Sequence, residues 1–76
     1  MPQRQRIRFR YDADVDALHI QLGNSKIVES DEVKPGIIFD FNAKSDVVRI
    51  EILDVKRRLS KADLKQLKVS SRVIHA

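Results

Sequence analysis

Two runs of charge share a two-residue spacing near the start of this sequence. Arg6, Arg8 and Arg10 alternate with apolar residues in RIRFRY, and Asp12, Asp14 and Asp16 follow at the same interval in DADVD. Each run suggests a chemistry. Guanidinium groups two residues apart on a strand share one face and can track a line of phosphates. Alternating carboxylates open the calcium loop of an EF-hand, which also needs Gly at its sixth position and Glu at its twelfth. Counted from Asp12, those positions hold Ala17 and Gly23. The calcium pattern fails at both, so no metal is expected. Asp12 and Asp16 read instead as turn residues, because Asp tolerates turn geometry and accepts hydrogen bonds from nearby main-chain amides.

The arginines keep two readings. One is a phosphate-contacting face; the other is a solvated, edge-like strand whose charges discourage sheet-to-sheet pairing. Platforms for single-stranded nucleic acid place aromatic rings beside their cations. Here Phe9 and Tyr11 alternate onto the face opposite the arginines. A second basic region combines Lys56, Arg57 and Arg58 with Lys61, Lys65 and Lys68, where a solvated helix face is the simpler reading.

Catalytic residues are harder to find. His19 and His75 are the two histidines, the serines fall in turns and near the end, and no nucleophile elbow or glycine-rich phosphate loop occurs. Asp40 and Glu51 could lie on neighbouring strands, but Arg49 offers them ordinary ion pairing. No enzymatic activity and no cofactor are expected.

The elements that must position these residues are mostly strands. Period-two alternation marks RIRFRY, ALHIQL, IIFDF and VVRIEIL, with Ile7, Phe9, Tyr11, Leu18, Ile20, Leu22, Phe39, Phe41, Ile50 and Ile52 as their apolar set. A further strand is expected over residues 26–33. Pro35 and Gly36 suit the two central positions of a type II turn, where the second needs positive φ. In LSKADLKQL the pattern changes to a helix. Ser60 is its N-cap, Asp63 follows three residues on, and Leu59 and Leu64 occupy staple positions. The expected fold is α+β and mainly β: an antiparallel five-stranded meander with a short C-terminal helix. Residues 1–76 form one small domain, with a flexible basic start over 1–5 and residues 69–76 as a tail or an added edge strand.

Composition bounds the rest. A single core in 76 residues supplies about 3–5 kcal/mol of net stability, so a support is expected. The chain has no cysteine, which excludes disulfides and thiolate metal sites and suits the cytoplasm. Oligomerisation remains, and a homo-oligomer, most simply a dimer, is expected. No apolar run is long enough to span a membrane. The net charge of +4 permits acidic or nucleic-acid partners.

YDADVDALHIQL, SDEVKPGIIFDF and VVRIEILDVKRRL together resemble the small prokaryotic family called domain of unknown function twenty-two eighty-three. Its pattern reads Y-D-x-x-x-D-x-L-Y-I, then E-V-x-P-G-V, then G-I-E-I-L. Tyr11, Asp12, Asp16, Leu18, Ile20, Glu32, Val33, Pro35, Gly36, Ile50, Glu51, Ile52 and Leu53 fall on it in order. His19 stands where the family often has Tyr, and Arg49 where it often has Gly. The resemblance implies a small mainly-β domain with no established catalytic activity. For some members it implies a toxin-like partner, by analogy with small antitoxins. The expected function is therefore a non-enzymatic protein-binding module, an antitoxin-like partner of a small toxin in its narrowest form. The alternative is a nucleic-acid-binding protein that uses Arg6, Arg8 and Arg10 with Lys61, Lys65 and Lys68.

Overall fold

The computed structural model describes residues 7–70 and 72–74. The expected flexible start over 1–5, Arg6 and His75 lie outside the described residues. Alternation of apolar and charged residues produces β1 (Arg8–Asp12), β2 (Ala17–Gln21), β4 (Ile37–Phe41) and β5 (Val47–Ile52); β3 (Glu29–Lys34) is polar on both faces. Two helices follow, α1 (Val55–Arg58) and α2 (Lys61–Ser70), and then a short strand, β6 (Arg72–Ile74).

The strand order is β3-β4-β5-β2-β1-β6. The five longer strands are antiparallel throughout, and β6 joins β1 in parallel. This corrects the expected pure meander, because β2 pairs with β5 and not with β3. The reason lies in β3. All six of its residues are exposed, so it has no apolar face to offer a central position. Residues 22–28 instead carry the chain across to the far edge. Leu22 and Gly23 donate their amides to the Val48 carbonyl at 2.8 and 3.2 Å, and Val28 donates to that of Phe41 at 2.9 Å.

Where one C-terminal helix was expected, there are two. Ser60 caps α2: its Oγ accepts from the Asp63 amide at 3.0 Å, and its carbonyl from Leu64 at 2.9 Å. The helices close one end of the apolar sheet face. There Tyr11 is fully buried, with Lys68 Nζ 5.9 Å from the centre of its ring, and Val55 of α1 is buried as well. No helix of the described residues is long and apolar enough to cross a membrane.

Candidate functional site

Register places the chemistry-bearing residues on one face. Arg8 stands opposite Gln21 and Gln21 opposite Arg49, which faces Asp40 and then Ser30. In the neighbouring row Arg10 faces His19, and His19 faces Glu51. Five strands thus contribute to one polar surface, although the sequence separates its members by up to forty-odd residues.

The centre of that surface is an ion-paired network. Asp40 is completely buried, and its Oδ2 accepts from Arg49 Nε at 2.8 Å while Oδ1 accepts from Ser30 Oγ at 2.5 Å. Arg49 also reaches Glu51 Oε2 at 3.4 Å. Burial pushes the Asp40 carboxyl up, but hydrogen bonds from Glu51, Ser30 and Arg49, with the Arg49 charge, outweigh it and leave the group below its ordinary value. Glu51 moves the other way, raised by its hydrogen bond to Asp40, by burial and by the Asp40 charge. The two carboxyls therefore titrate as a pair, with Asp40 shifted down and Glu51 shifted up. His19 Nδ1 lies 3.8 Å from Glu51 Oε1, and it is buried without a hydrogen bond. Burial, then the charges of Arg10 and Arg49, hold the imidazole below its ordinary value, against weaker pulls from Asp12 and Asp40.

Beside the network β1 and β2 form a cleft of about 250 Å³, lined by Arg8, Phe9, Arg10, His19 and Gln21. Gln21 is partly spoken for, since its Nε2 donates to the Gly23 carbonyl.

The residues of the sequence motifs do different work. Asp12 Oδ1 accepts from the Asp14 amide at 3.0 Å inside the first hairpin. Asp16 has φ 56°, in the left-handed region. Its carboxylate accepts from Tyr11 Oη at 2.6 Å and from the Lys56 amide at 3.1 Å, so it ties the hairpin to the start of α1, forty residues away. Asp54, the residue at the N-cap position, gives α1 no side-chain cap. In the β3–β4 turn Gly36 has φ 79°, and its amide donates to Glu32 Oε2 at 2.8 Å. Arg58 completes this turn: Nη2 donates to the Pro35 carbonyl at 2.6 Å and Nε to that of Leu53 at 2.7 Å. A Cβ on Gly36 would meet Arg58 Nη2 at 2.2 Å, so glycine is needed for space as well as for φ. Glu32 falls on the family pattern and Arg58 in the second basic region, but the sequence did not show that both close this turn.

The lysines do not form a site together. Lys61 and Lys65 are exposed on α2, whereas Lys68 lies over the Tyr11 ring. Among the described residues no three His, Asp or Glu side chains converge on a point that could hold a metal ion.

The opposite face is apolar. One row runs Phe9, Ile20, Ile50, Phe39, and the next runs Tyr11, Leu18, Ile52, Ile37. Tyr11 is buried, but Leu18, Ile20, Ile37, Phe39, Phe41, Ile50 and Ile52 are only half-buried, and Phe9 is 46 % exposed.

Fold and site together define a small mainly-β protein: one antiparallel sheet with an ion-paired polar face and an open apolar face. The family model described as Protein of unknown function (DUF2283) matches residues 8–56, well over half of the chain, and the chain belongs to that family. The comparisons found no match among curated proteins or solved structures.

Proposed function

We propose that this chain is a non-enzymatic protein-binding module whose working surface is the apolar face of the sheet. The observation that carries this reading is the unfilled core. Among the described residues the buried apolar side chains are Tyr11, Ala17, Val48 and Val55, while the rows through Ile20, Ile50 and Phe39 stay partly wet. A large apolar side chain gains about 1.5–3 kcal/mol on full burial, so covering this face with protein is strongly favoured. The occupant is another protein: a second copy of the chain in a homo-oligomer, or a toxin-like partner in the antitoxin-like form that the family resemblance implies. The non-enzymatic part rests on the polar face. There the one fully buried carboxylate is engaged by Arg49 and Ser30, and the nearby serine hydroxyl donates to that carboxylate instead of facing a base.

The test compares the wild-type chain with Ile50→Asp, which sets a charge in the middle of the apolar face. Light scattering across the micromolar range reads self-association, and affinity capture from cytoplasm of the source cell reads other partners. Association in the wild type that Ile50→Asp abolishes, with the circular dichroism of a folded chain kept, supports the proposal. A mass of 8.8 kDa at every concentration, with captured proteins that do not depend on Ile50, removes it.

A further inference from the structure

The Arg8–Arg10 pair is unlike the other arginines whose side chains the structure describes. Arg49 is held by Asp40 and Glu51, Arg57 by Asp54 at 3.4 Å, and Arg58 by the Pro35 and Leu53 carbonyls. Arg8 and Arg10 have no oxygen partner among the described residues, and both are exposed. Protection of a sheet edge does not explain them either. β1 lies between β2 and β6, so its main-chain groups are paired on both sides at Arg10.

Their placement makes a concave donor set. Arg8 and Arg10 lie two residues apart on one face, so their Cα atoms are about 7 Å from each other. Gln21 and His19 stand directly opposite them, about 5 Å across the strand pair. These four side chains and Phe9 line the cleft of about 250 Å³. Its volume is below the range of roughly 300–1,000 Å³ usual for drug-sized ligands but ample for a tetrahedral oxyanion. Two guanidinium groups bring planar forks of N–H donors, the geometry that suits phosphate oxygens. His19 has a buried Nδ1 with no hydrogen bond. Across from His19 the Glu51 carboxylate pairs with Arg49, and not with Arg8 or Arg10.

We propose that the Arg8–Arg10–His19–Gln21 cleft is a binding site for a phosphate group, gripped by both guanidinium groups with His19 on its inner wall. The site lies on the face opposite the proposed protein-binding surface and stands or falls independently of it. The bound group is a free phosphate or the phosphodiester of a single-stranded nucleic acid, which share this chemistry. Arrival of an anion favours the imidazolium form of His19, which burial, Arg10 and Arg49 disfavour in the empty cleft, with Asp12, Asp40 and Glu51 on the other side of the balance. Binding is then accompanied by proton uptake and tightens on acidification.

Calorimetric titration with inorganic phosphate, with sulfate, and with a short single-stranded oligonucleotide tests this. Sulfate keeps its charge across the range, so its pH dependence reports groups of the protein, and His19→Gln isolates the share of His19. Saturable binding of phosphate or sulfate, weakened roughly tenfold in Arg10→Gln and in Arg8→Gln and unchanged in Lys65→Gln, is expected, as for the loss of one charge-assisted hydrogen bond. His19→Gln is expected to bind sulfate without the acid enhancement. Binding of the oligonucleotide alone, lost in Arg10→Gln, identifies the phosphodiester as the source. No saturable binding of any probe, or binding that follows Lys65 and ignores Arg8 and Arg10, overturns the proposal.

Discussion

On one face of the sheet Asp40 is wholly buried; on the other, the residues before and after it, Phe39 and Phe41, are only half-buried, with their rings 6.4 Å apart. The usual arrangement, apolar inside and charged outside, is reversed along this strand. The polar face closes on itself, because Arg49 and Ser30 satisfy Asp40 directly and Arg49 reaches on to Glu51. The apolar face does not close on itself, since its row through Phe9, Ile20, Ile50 and Phe39 stays partly exposed. A buried ion pair adds little net stability relative to a well-packed apolar pair, because desolvation consumes most of the attraction. The contrast therefore teaches that the two faces are finished differently, one by its own ion pairs and the other left partly wet. The ion network ties β3, β4 and β5 together, and the larger unused reserve of free energy sits on the partly exposed apolar side.

The sharpest way to break this comparison is Arg49→Ala. It leaves Asp40 buried with Ser30 as its main partner, and removing one member of a buried pair costs about 3–5 kcal/mol. Because the Arg49 side chain is 31 % exposed, the lower end of that range is expected. For a domain of this size the melting temperature should fall by more than about 10 °C. A melt within a few degrees of wild type would show that the network does not hold the register. Acid probes the same pair. Asp40 titrates in the folded chain below its ordinary value of 3.8, so its contribution is complete above 3.8 and is lost as pH falls through the lower folded value. Glu51 is raised, so its contribution is present below its ordinary value of 4.5 and is lost as pH rises through the folded one.

How much of this was legible in the sequence depends on the range of the contact. Alternation is local, and it located β1, β2, β4 and β5 together with their apolar faces. It also placed Asp40 opposite Phe39 and Phe41, with Arg49 as an ion-pair partner, but gave no sign that Asp40 is buried. Its burial depends on Arg49 and Ser30, nine and ten residues away, and so on pairing that alternation does not specify. The strand order was partly written in ESDEVK: a strand without an apolar face belongs at an edge, yet chain proximity suggested pairing with β2. Asp16 read as a turn residue, whereas its partner Lys56 lies forty residues on and became visible only with the fold. The four-residue α1 is too short to show a helical period, and a carboxylate from the first hairpin caps it.

The next largest effect belongs to Gly36→Val. A β-branched residue at φ 79° costs about 1–3 kcal/mol, and the new side chain also displaces Arg58 from the Pro35 carbonyl. Gly36→Asn separates the two causes, because Asn tolerates the left-handed region but still meets Arg58. If Asn costs as much as Val in a denaturant titration, crowding dominates; if it costs little, the dihedral does. This turn holds the outer edge beneath both faces, so either substitution should loosen β3 before the network at Asp40.

Phe39→Ala tests the open face directly. A buried phenylalanine costs about 3–5 kcal/mol on truncation, but a half-buried one should cost about 1 kcal/mol. If a second copy covers the face, that cost grows with protein concentration, because association stabilises the wild type by mass action. Denaturant midpoints at two widely separated concentrations read the difference. A concentration-independent cost of the full buried size would mean that the face is already closed within one chain.

The smallest effect at neutral pH comes from Tyr11, which marks where the apolar face ends its exposure. Phe9, two residues earlier on the same face, is 46 % exposed, while Tyr11 is fully buried and donates its hydroxyl to Asp16. Burial, then the hydrogen bond to Asp16 and the charges of Asp16 and Asp12, push the phenol up to about 12 from an ordinary value of 10.0. The folded chain thus keeps a proton that the unfolded chain loses. Stability from this group is complete below 10.0 and is lost as pH rises through about 12. Tyr11 is the single tyrosine of the chain, so an ultraviolet titration reads its phenolate without interference. A midpoint near 12 in the wild type, and a lower one in Asp16→Asn, is expected. Tyr11→Phe should flatten the alkaline loss of stability while leaving the neutral melt nearly unchanged apart from the hydrogen bond, worth about 1 kcal/mol. A midpoint at the ordinary value would mean that solvent reaches the Tyr11 end as freely as it reaches Phe9, and the apolar face would then be open along its whole length.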